Sequence, residues 1–335
     1  MAEKITINDI ARICGVSKAT VSYILNGKTT SMKISGDTYR QVIDTCTRLG
    51  YQPDKTAQAL SALRKIPLQI VLLTPWLYAQ HSDFMAQVHA AFQRISMTEE
   101  IRLTYAHFEK NALADHLTAE RYKKYDCVVI TGTSPADDAF LQKHARHYAN
   151  IVVLNRYVEG ICSVYGNDRE AACQLARSVV RARHYDHFVI LHDGTDSYCR
   201  QERMAALEEV LPKETATVLL EHPIDRQSAL QLYHQHQQGK TCFAFLEYTN
   251  ASLFMVQLHR EGIAIPDACG IFCYDNHTLL EAYLPLQLTT VDPHLEEMVL
   301  AVHAIAKEMK LGKTPASCQI PARAVPGNTS CMVQI

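Results

Sequence analysis

No apolar stretch in this 335-residue chain approaches the ~18 residues a membrane span requires, and the first fifteen residues, MAEKITINDIARICG, lack the apolar core of a secretion signal. A cytoplasmic location is therefore expected. Cysteine is present, but its eleven copies are an odd number without dense short spacings. That excludes a secreted disulfide framework and leaves reduced thiols, most of them in the core. The signatures of phosphate-loop, zinc-peptidase and serine-hydrolase chemistry are missing too: Gly239-Lys240-Thr241 has no upstream glycine partner, and neither H-E-x-x-H nor G-x-S-x-G occurs. Cys269, Cys273 and His277 are spaced by four, but they run from a strand start into a loop, where helical spacing does not converge on a metal. The sixteen histidines include none paired in sequence with an obvious nucleophile and acid. Neither an enzyme, a metal site nor a cofactor is expected. The terminal stretch PGNTSCMVQI carries no leucine heptad for an extra bundle, which favours a dimer over a tetramer.

What is present is an ordinary globular composition, 47% hydrophobic and 20% charged, in a length that suits about two domains at ~150 residues each. The net charge of −2 hides an asymmetry. Residues 1–65 hold ten Lys+Arg against five Asp+Glu and no histidine, leaving 23 against 30 in the remainder. A small basic head on an acidic body suggests a polyanion partner, with chance as the bland alternative, so the local pattern must decide.

In the head, Thr6-x-x-Asp9 supplies a helix cap ahead of Ile7, Ile10, Ala11 and Cys14, which follow helical spacing up to Gly15. Ser17-x-x-Thr20 opens a second short helix, with Val21, Ile24 and Leu25 as its apolar stripe, ending at Asn26-Gly27. Ser35-x-x-Thr38 caps a third, with Tyr39, Val42, Ile43, Cys46 and Leu49 on one face and Gly50 as terminator. Three such helices form a helix-turn-helix head.

The run TINDIARICGVSKATVSYILNG, followed by LGYQPDKTAQALSALRK, closely resembles the DNA-binding head of the LacI/GalR bacterial repressors. The resemblance implies that the second helix enters the major groove, with Lys18, Ala19 and Tyr23 reading base edges. Thr6, Ser17, Thr20, Ser22 and Asn26 would hold phosphates or cap helices. Tyr23 stands where arginine or histidine is common in the family, and the loop Thr29–Lys33 is about three residues longer than usual, which either adds a phosphate contact through Lys33 or is slack. The weak helix expected after Pro53, through Ala57, Ala59, Leu60 and Leu63, corresponds to a hinge that in the family folds on DNA and wedges a leucine into the minor groove. Leu60 holds that place, with Ala57 beside it; packing against the body is the alternative for Leu60.

From Leu68 onward, β-rich runs such as LQIVLLT, DCVVITG and IVVLN alternate with helical stretches at 82–97, 113–124 and 136–147, and the cycle repeats after SVYG. Parallel sheets buried on both faces follow, in two Rossmann-like lobes with a cleft between them, the periplasmic-binding-protein architecture. The expected division is a head at 1–52, a hinge at 53–65 and a body at 66–335, with one lobe of about 66–161 plus 291–319 and another of about 162–290 plus 320–335. Ligands in such sheets sit at the carboxyl ends of strands. The resemblance continues weakly through the body. It places an effector-stacking aromatic at Phe84, an arginine gripping effector oxygens at Arg203 and a carboxylate accepting hydrogen bonds at Asp275. Ser197, Cys199, Ile224, Asn155, Arg156, Asn167 and Tyr248 fall near the same cleft. Glu247-Tyr248 and Pro293 stand where the family often carries Asn-Asp and Gln, which weakens the case for a simple sugar and leaves a modified sugar, a nucleoside-like base or another polar metabolite open. The expected function is a repressor binding double-stranded, near-palindromic operator DNA as a homodimer under metabolite control. The alternatives are a degenerate pocket controlled by a protein partner, or a plain small-molecule binding protein.

Overall fold

The computed structural model describes residues 5–25, 34–51, 66–76, 82–144, 147–194, 197–275 and 282–333. The chain forms two compact units, Met1–Ile66 and Pro67–Ile335, each considered by itself. Asn26, Lys33, Ala57, Leu60 and His277 lie outside the described residues. Among the described residues no helix is long and apolar enough to cross a membrane, and all eleven cysteines are free thiols, eight of them buried.

The head is three helices, α1 (Ile7–Cys14), α2 (Lys18–Leu25) and α3 (Gly36–Arg48). Each begins where its hydroxyl cap was expected. Thr6 accepts from the Asp9 amide while Asp9 accepts from the Thr6 amide at 3.0 Å, a reciprocal capping box. Ser17 Oγ accepts from the Thr20 amide at 3.0 Å, and Ser35 Oγ from that of Thr38 at 3.2 Å. Gly15 takes the left-handed conformation, φ 65°, that ends α1 and turns the chain into α2. Ile10, Val21 and Val42, all fully buried, bring one residue from each helix into a common core with Cys14, Ile24 and Cys46. Tyr39 departs from the expected stripe: it is 41% exposed, and Thr45 is buried instead.

The body holds β1 (Leu68–Thr74), α4 (Ser82–Ser96), β2 (Ile101–His107), α5 (Leu113–His116), α6 (Ala119–Tyr122), β3 (Cys127–Ile130), α7 (Pro135–His144), β4 (Ile151–Leu154) and β5 (Ser163–Gly166). It continues with α8 (Asp168–Arg181), β6 (His187–His192), α9 (Tyr198–Val210), β7 (Ala216–Leu219), α10 (Arg226–His236), β8 (Thr241–Phe245), α11 (Tyr248–Arg260) and β9 (Cys269–Phe272). Last come β10 (Thr290–Asp292), α12 (Leu295–Lys310), β11 (Cys318–Ile320) and β12 (Arg323–Val325). One parallel sheet has the order β11-β5-β4-β3-β1-β2 and the other β7-β6-β8-β9, so both lobes repeat the same winding. β10 and β12 pair antiparallel as a separate ribbon.

The helix expected over 113–124 is two single turns. A continuous helix would set Leu113 and Tyr122, nine residues apart, on opposite faces. Breaking at Leu117, φ −90° and ψ 86°, lets Leu113, Leu117 and Tyr122 all reach the core under Val71 and Leu73. The first lobe crossing is also displaced from its expected place near Cys162. Ser163 and Val164 pair with Val153 and Leu154 of the first sheet, and the chain crosses only after Gly166. Asn167 marks that point, accepting from the Ala322 amide at 2.7 Å and so tying the first crossing to the last.

In each sheet two neighbouring strands send their following helices to opposite faces. Ile70 and Leu72 of β1 pack with α4, whereas Ile130 of β3 packs with Leu141 of α7 on the other side. In the second sheet Ile190 of β6 packs with Ala206 and Leu207 of α9, and Phe243 and Phe245 of β8 pack with Phe254 of α11. These are topological switch points, where crevices open beyond the carboxyl ends of the strands. Gly270 in β9 has no room for a side chain, because a Cβ there would overlap the ring and hydroxyl of buried Tyr185. Gly270→Ala is expected to lower the unfolding free energy by about 3 kcal/mol through overpacking, as read by urea denaturation of the body.

Candidate functional site

Two surfaces hold the residues nominated from sequence. The first is the start of α2, where Ser17, Lys18 and Ala19 are exposed and Thr20, Ser22 and Tyr23 are half-buried on the same short helix. The cap hydroxyls are engaged: Thr6 Oγ1 donates to Asp9 Oδ2 at 2.7 Å, and the Ser17 and Thr20 oxygens stand 2.9 Å apart. Hydrogen bonds from Thr6 hold the Asp9 carboxyl below its ordinary range. This presents the amino end of a helix with an ammonium and a phenol five residues apart, suited to a groove reader.

The second surface lies at the switch points of the two sheets. Arg203, in the second turn of α9, is 4% exposed. Its Nε donates to Asp168 Oδ1 at 3.0 Å, and Nη1 to the Leu246 carbonyl at 3.1 Å and to Asp275 Oδ2 at 2.9 Å. Nη2 donates to Asp275 Oδ1 at 2.5 Å and stands 2.9 Å from Asp168 Oδ1. Four guanidinium hydrogens thus meet protein oxygens, and Nη2 is ion-paired with Asp168 besides. Burial works against the charge, but Asp275 and Asp168 outweigh it and hold the group above the usual arginine range. Asp275 keeps an exposed edge, with its side chain 39% accessible. Its backbone is left-handed, φ 72°, and its carbonyl accepts from Thr290 Oγ1 at 2.5 Å.

Around this pair, Arg200 is ion-paired with Asp193, and burial lowers its pKa against the pull of Glu247 and Asp275. Glu247 caps α11 by accepting from the Asn250 amide at 3.0 Å, and burial raises its carboxyl. From the other lobe, Arg156 Nε stands 2.6 Å from Asp138 Oδ2, Nη1 donates to the Thr133 carbonyl, and its guanidinium lies 5.7 Å over the Tyr198 ring. Cys199 Sγ donates to the Asn155 carbonyl at 3.2 Å. Arg156, Tyr198, Asn155 and Cys199 therefore join the lobes. Phe84 meets Trp76 edge-on at 5.3 Å. Ser197 caps α9, Tyr248 is a buried first residue of α11, and Ile224 is buried with its amide on Asn250 Oδ1.

Comparison with known proteins bears on the two units in turn. Residues 6–54 match the family described as bacterial regulatory proteins, lacI family, and residues 176–330 match the periplasmic binding protein-like domain. The chain thus joins a lacI-family head to a periplasmic-binding-protein-like body. Its relatives include a catabolite repressor/activator of Salmonella typhimurium, 26% identical over 96% of this chain and 95% of that one. The lac repressor dimer bound to operator and the anti-inducer ONPF shares the fold at a TM-score of 0.61 and 16% identity, covering 98% of this chain and 99% of that one. A LacI family regulator from Enterococcus faecalis with bound ribose superposes at 0.63 and 16% identity, over 79% of this chain and all of that one. Like its LacI relatives, the chain is a DNA-binding transcriptional regulator and not an enzyme.

Within this cleft, sequence reasoning brought Arg203 and Asp275 together but gave both to a ligand, whereas they are each other's partners. It missed Asp168, Asp138, Arg200 and Trp76. The first three carry no motif, and Trp76 carried one signal, since it is the chain's single tryptophan. The third member of the spaced set, His277, lies outside the described residues; Cys269 and Cys273 are buried thiols, with burial pushing Cys269 up to about 12. Among the described residues no group of three or more His, Cys, Asp or Glu could hold a metal. Arg203→Ala would leave Asp168 buried and unpaired, and is expected to cost about 3–5 kcal/mol, read as a lowered urea midpoint of the body, with Arg203→Lys recovering only part because its ammonium has three donors.

Proposed function

We propose that this regulator is a cytoplasmic repressor that binds a near-palindromic operator as a homodimer, and that a small polar metabolite, a sugar or sugar derivative, sets its DNA affinity from the cleft. The observation that carries the reading is the half-exposed Asp275 carboxylate, held rigidly at the end of β9 by a buried arginine, beside the crevice where both sheets switch direction. A fixed acceptor in a crevice with aromatic groups on the facing lobe suits a ligand with hydroxyl donors and an apolar face. Arg203 positions Asp275; Ser197, Asn155, Cys199, Ile224 and Tyr248 shape the walls. Ribose in the E. faecalis regulator supports the sugar class, and the operator-bound lac repressor dimer supports the two-fold mode. The sign of the response follows from which lobe arrangement the ligand prefers, since a ligand moves an equilibrium only by its differential affinity.

On DNA, Lys18, Ala19 and Tyr23 read bases, while Thr6, Ser17, Thr20, Ser22 and Asn26 contact phosphates and Ala57 and Leu60 act in the minor groove. Lys18→Ala and Tyr23→Ala are each expected to relax preference at one or two operator positions by about 1–3 kcal/mol. Selection from random DNA tests this, and an unchanged sequence logo in both variants would overturn the assignment of α2.

A second reading, control by a protein partner on a pocket that takes no metabolite, is favoured by the engagement of the Arg203 guanidinium with protein oxygens. Asp275→Asn separates the two. Under the metabolite reading it should weaken a calorimetrically measured ligand about tenfold or more, the loss expected for one charge-assisted hydrogen bond. Under the partner reading, wild type gives no heat with any metabolite.

A further inference from the structure

The amino edge of the first sheet, opposite the edge where ligands of parallel sheets gather, holds a cavity of its own. It has a volume of about 360 Å³ and lies where β3 and β4 begin, with Leu117, Val128, Ile151 and the Tyr148 ring as its apolar walls. The Tyr148 hydroxyl donates to the Leu117 carbonyl at 2.8 Å, which fixes that ring. Tyr122, the last residue of α6, also lines the cavity. It is only 5% exposed, and its hydroxyl oxygen is buried without a hydrogen-bond partner among the described residues. A buried donor left unmade is costly, so this phenol calls for an acceptor. Burial raises it above its ordinary value against the pull of the Arg121 guanidinium, which keeps it a neutral donor.

The charge around the cavity has a sign. Arg121, Lys123 and Lys124 follow Glu120 in one short run, in a body where acidic residues outnumber basic ones. Lys123 and Glu120 both line the cavity, but they form a loose pair, 3.9 Å apart with side chains 77% and 89% exposed, so solvent screens it. The Arg121 guanidinium lies over the Tyr122 ring at 5.6 Å and adds its charge at the same place. His147 is exposed at the rim.

We infer that this cavity is a second small-molecule site, separate from the cleft, and that it takes a carboxylate on a compact apolar body. The carboxylate accepts from Tyr122 Oη and pairs with Lys123, while the body fills the space between Leu117, Val128, Ile151 and Tyr148. An ionised acceptor is favoured over a neutral one because hydrogen bonds to charged groups are roughly twice as strong. A phosphate monoester would leave most of its oxygens without donors, since the site offers one phenol and one ammonium. The volume falls in the range of small-molecule pockets, and every wall belongs to the first lobe, so occupancy does not depend on the lobe angle.

The full-length protein is titrated, by calorimetry and by ligand-observed NMR, with benzoate, indole-3-acetate and 4-methylpentanoate, with benzyl alcohol and benzylamine as the neutral and cationic controls. At least one acid should bind with a Kd in the millimolar range or below, about tenfold or more tighter than either control. Tyr122→Phe removes only the hydroxyl. It should weaken that acid about tenfold or more, and it should leave the urea midpoint of the ligand-free protein unchanged or raised, because no partner is lost. Lys123→Gln should weaken the acid by about threefold and flatten its salt dependence. Absence of binding by all three acids overturns the site, as does an unchanged Kd in Tyr122→Phe. A lowered midpoint in ligand-free Tyr122→Phe shows that the hydroxyl already has a partner, and overturns it too. Equal affinity for benzyl alcohol, or a preference for benzylamine, overturns the carboxylate class. The reading of the cleft stands or falls separately, on Asp275→Asn.

Discussion

The Arg203 guanidinium is the contact on which the cleft side of the second lobe depends. One planar group joins the first residue of α8, the carbonyl that ends β8 and the side chain just beyond β9, and it is itself carried on α9. No other side-chain type could do this, because the task needs four hydrogen bonds from a rigid fork and a charge that survives burial. Two carboxylates brought to one place would repel unless a cation sat between them, so the positions of Asp168 and Asp275 are consequences of Arg203 as much as causes of its burial. Tyr274 lies under the same guanidinium, 5.6 Å from ring to carbon, and its hydroxyl donates to the Ala172 carbonyl of α8 at 3.2 Å. The crossing helix is therefore held to the sheet by two adjacent residues of the chain leaving β9.

That fastening bears on how the lobes communicate. Asp168 begins two residues after β5, at the first crossing, so the element that passes between lobes is locked to the lobe it enters. Asn167, one residue earlier, is bonded to the last crossing through Ala322. Between the lobes themselves stand the contacts of Asn155 and Arg156 with Cys199 and Tyr198. Those contacts are a thiol hydrogen bond and a cation over a ring, both weak compared with the Arg203 set. A stiff second lobe on a soft joint is what a ligand-driven change of lobe angle needs, since packed interiors move as units and not as graded springs.

How much of this the sequence showed depended on how local the cause was. Thr6, Ser17 and Ser35 were readable as caps because a cap is settled within four residues. The strands were readable because runs buried on both faces leave an unbroken apolar signature, and the cleft followed from their order. The position of β5 was not readable: Ser163–Gly166 is four residues long, and its lobe is decided by pairing with Ile151–Leu154 across a turn. Tyr39 had the right spacing for the core yet is 41% exposed, and Thr45 takes the buried place. Arg203 and Asp275 were nominated as a pair by resemblance, yet their mutual engagement depends on Asp168, 35 residues before Arg203 in sequence. Pairings at that separation leave no periodic trace.

The same distinction applies to the ligand. Residue types that bind sugars can be named from a sequence, but whether a charged group faces a ligand or another side chain is a question of counting donors and acceptors in three dimensions. Counted this way, Arg203 gives four hydrogen bonds to protein oxygens from a buried position, whereas Asp275, with its two oxygens bonded on one side, keeps lone pairs on its exposed edge. The second lobe then supplies an acceptor whose position is fixed before any ligand arrives. A ligand there would meet a surface that has already lost its conformational freedom, so less entropy is lost on binding.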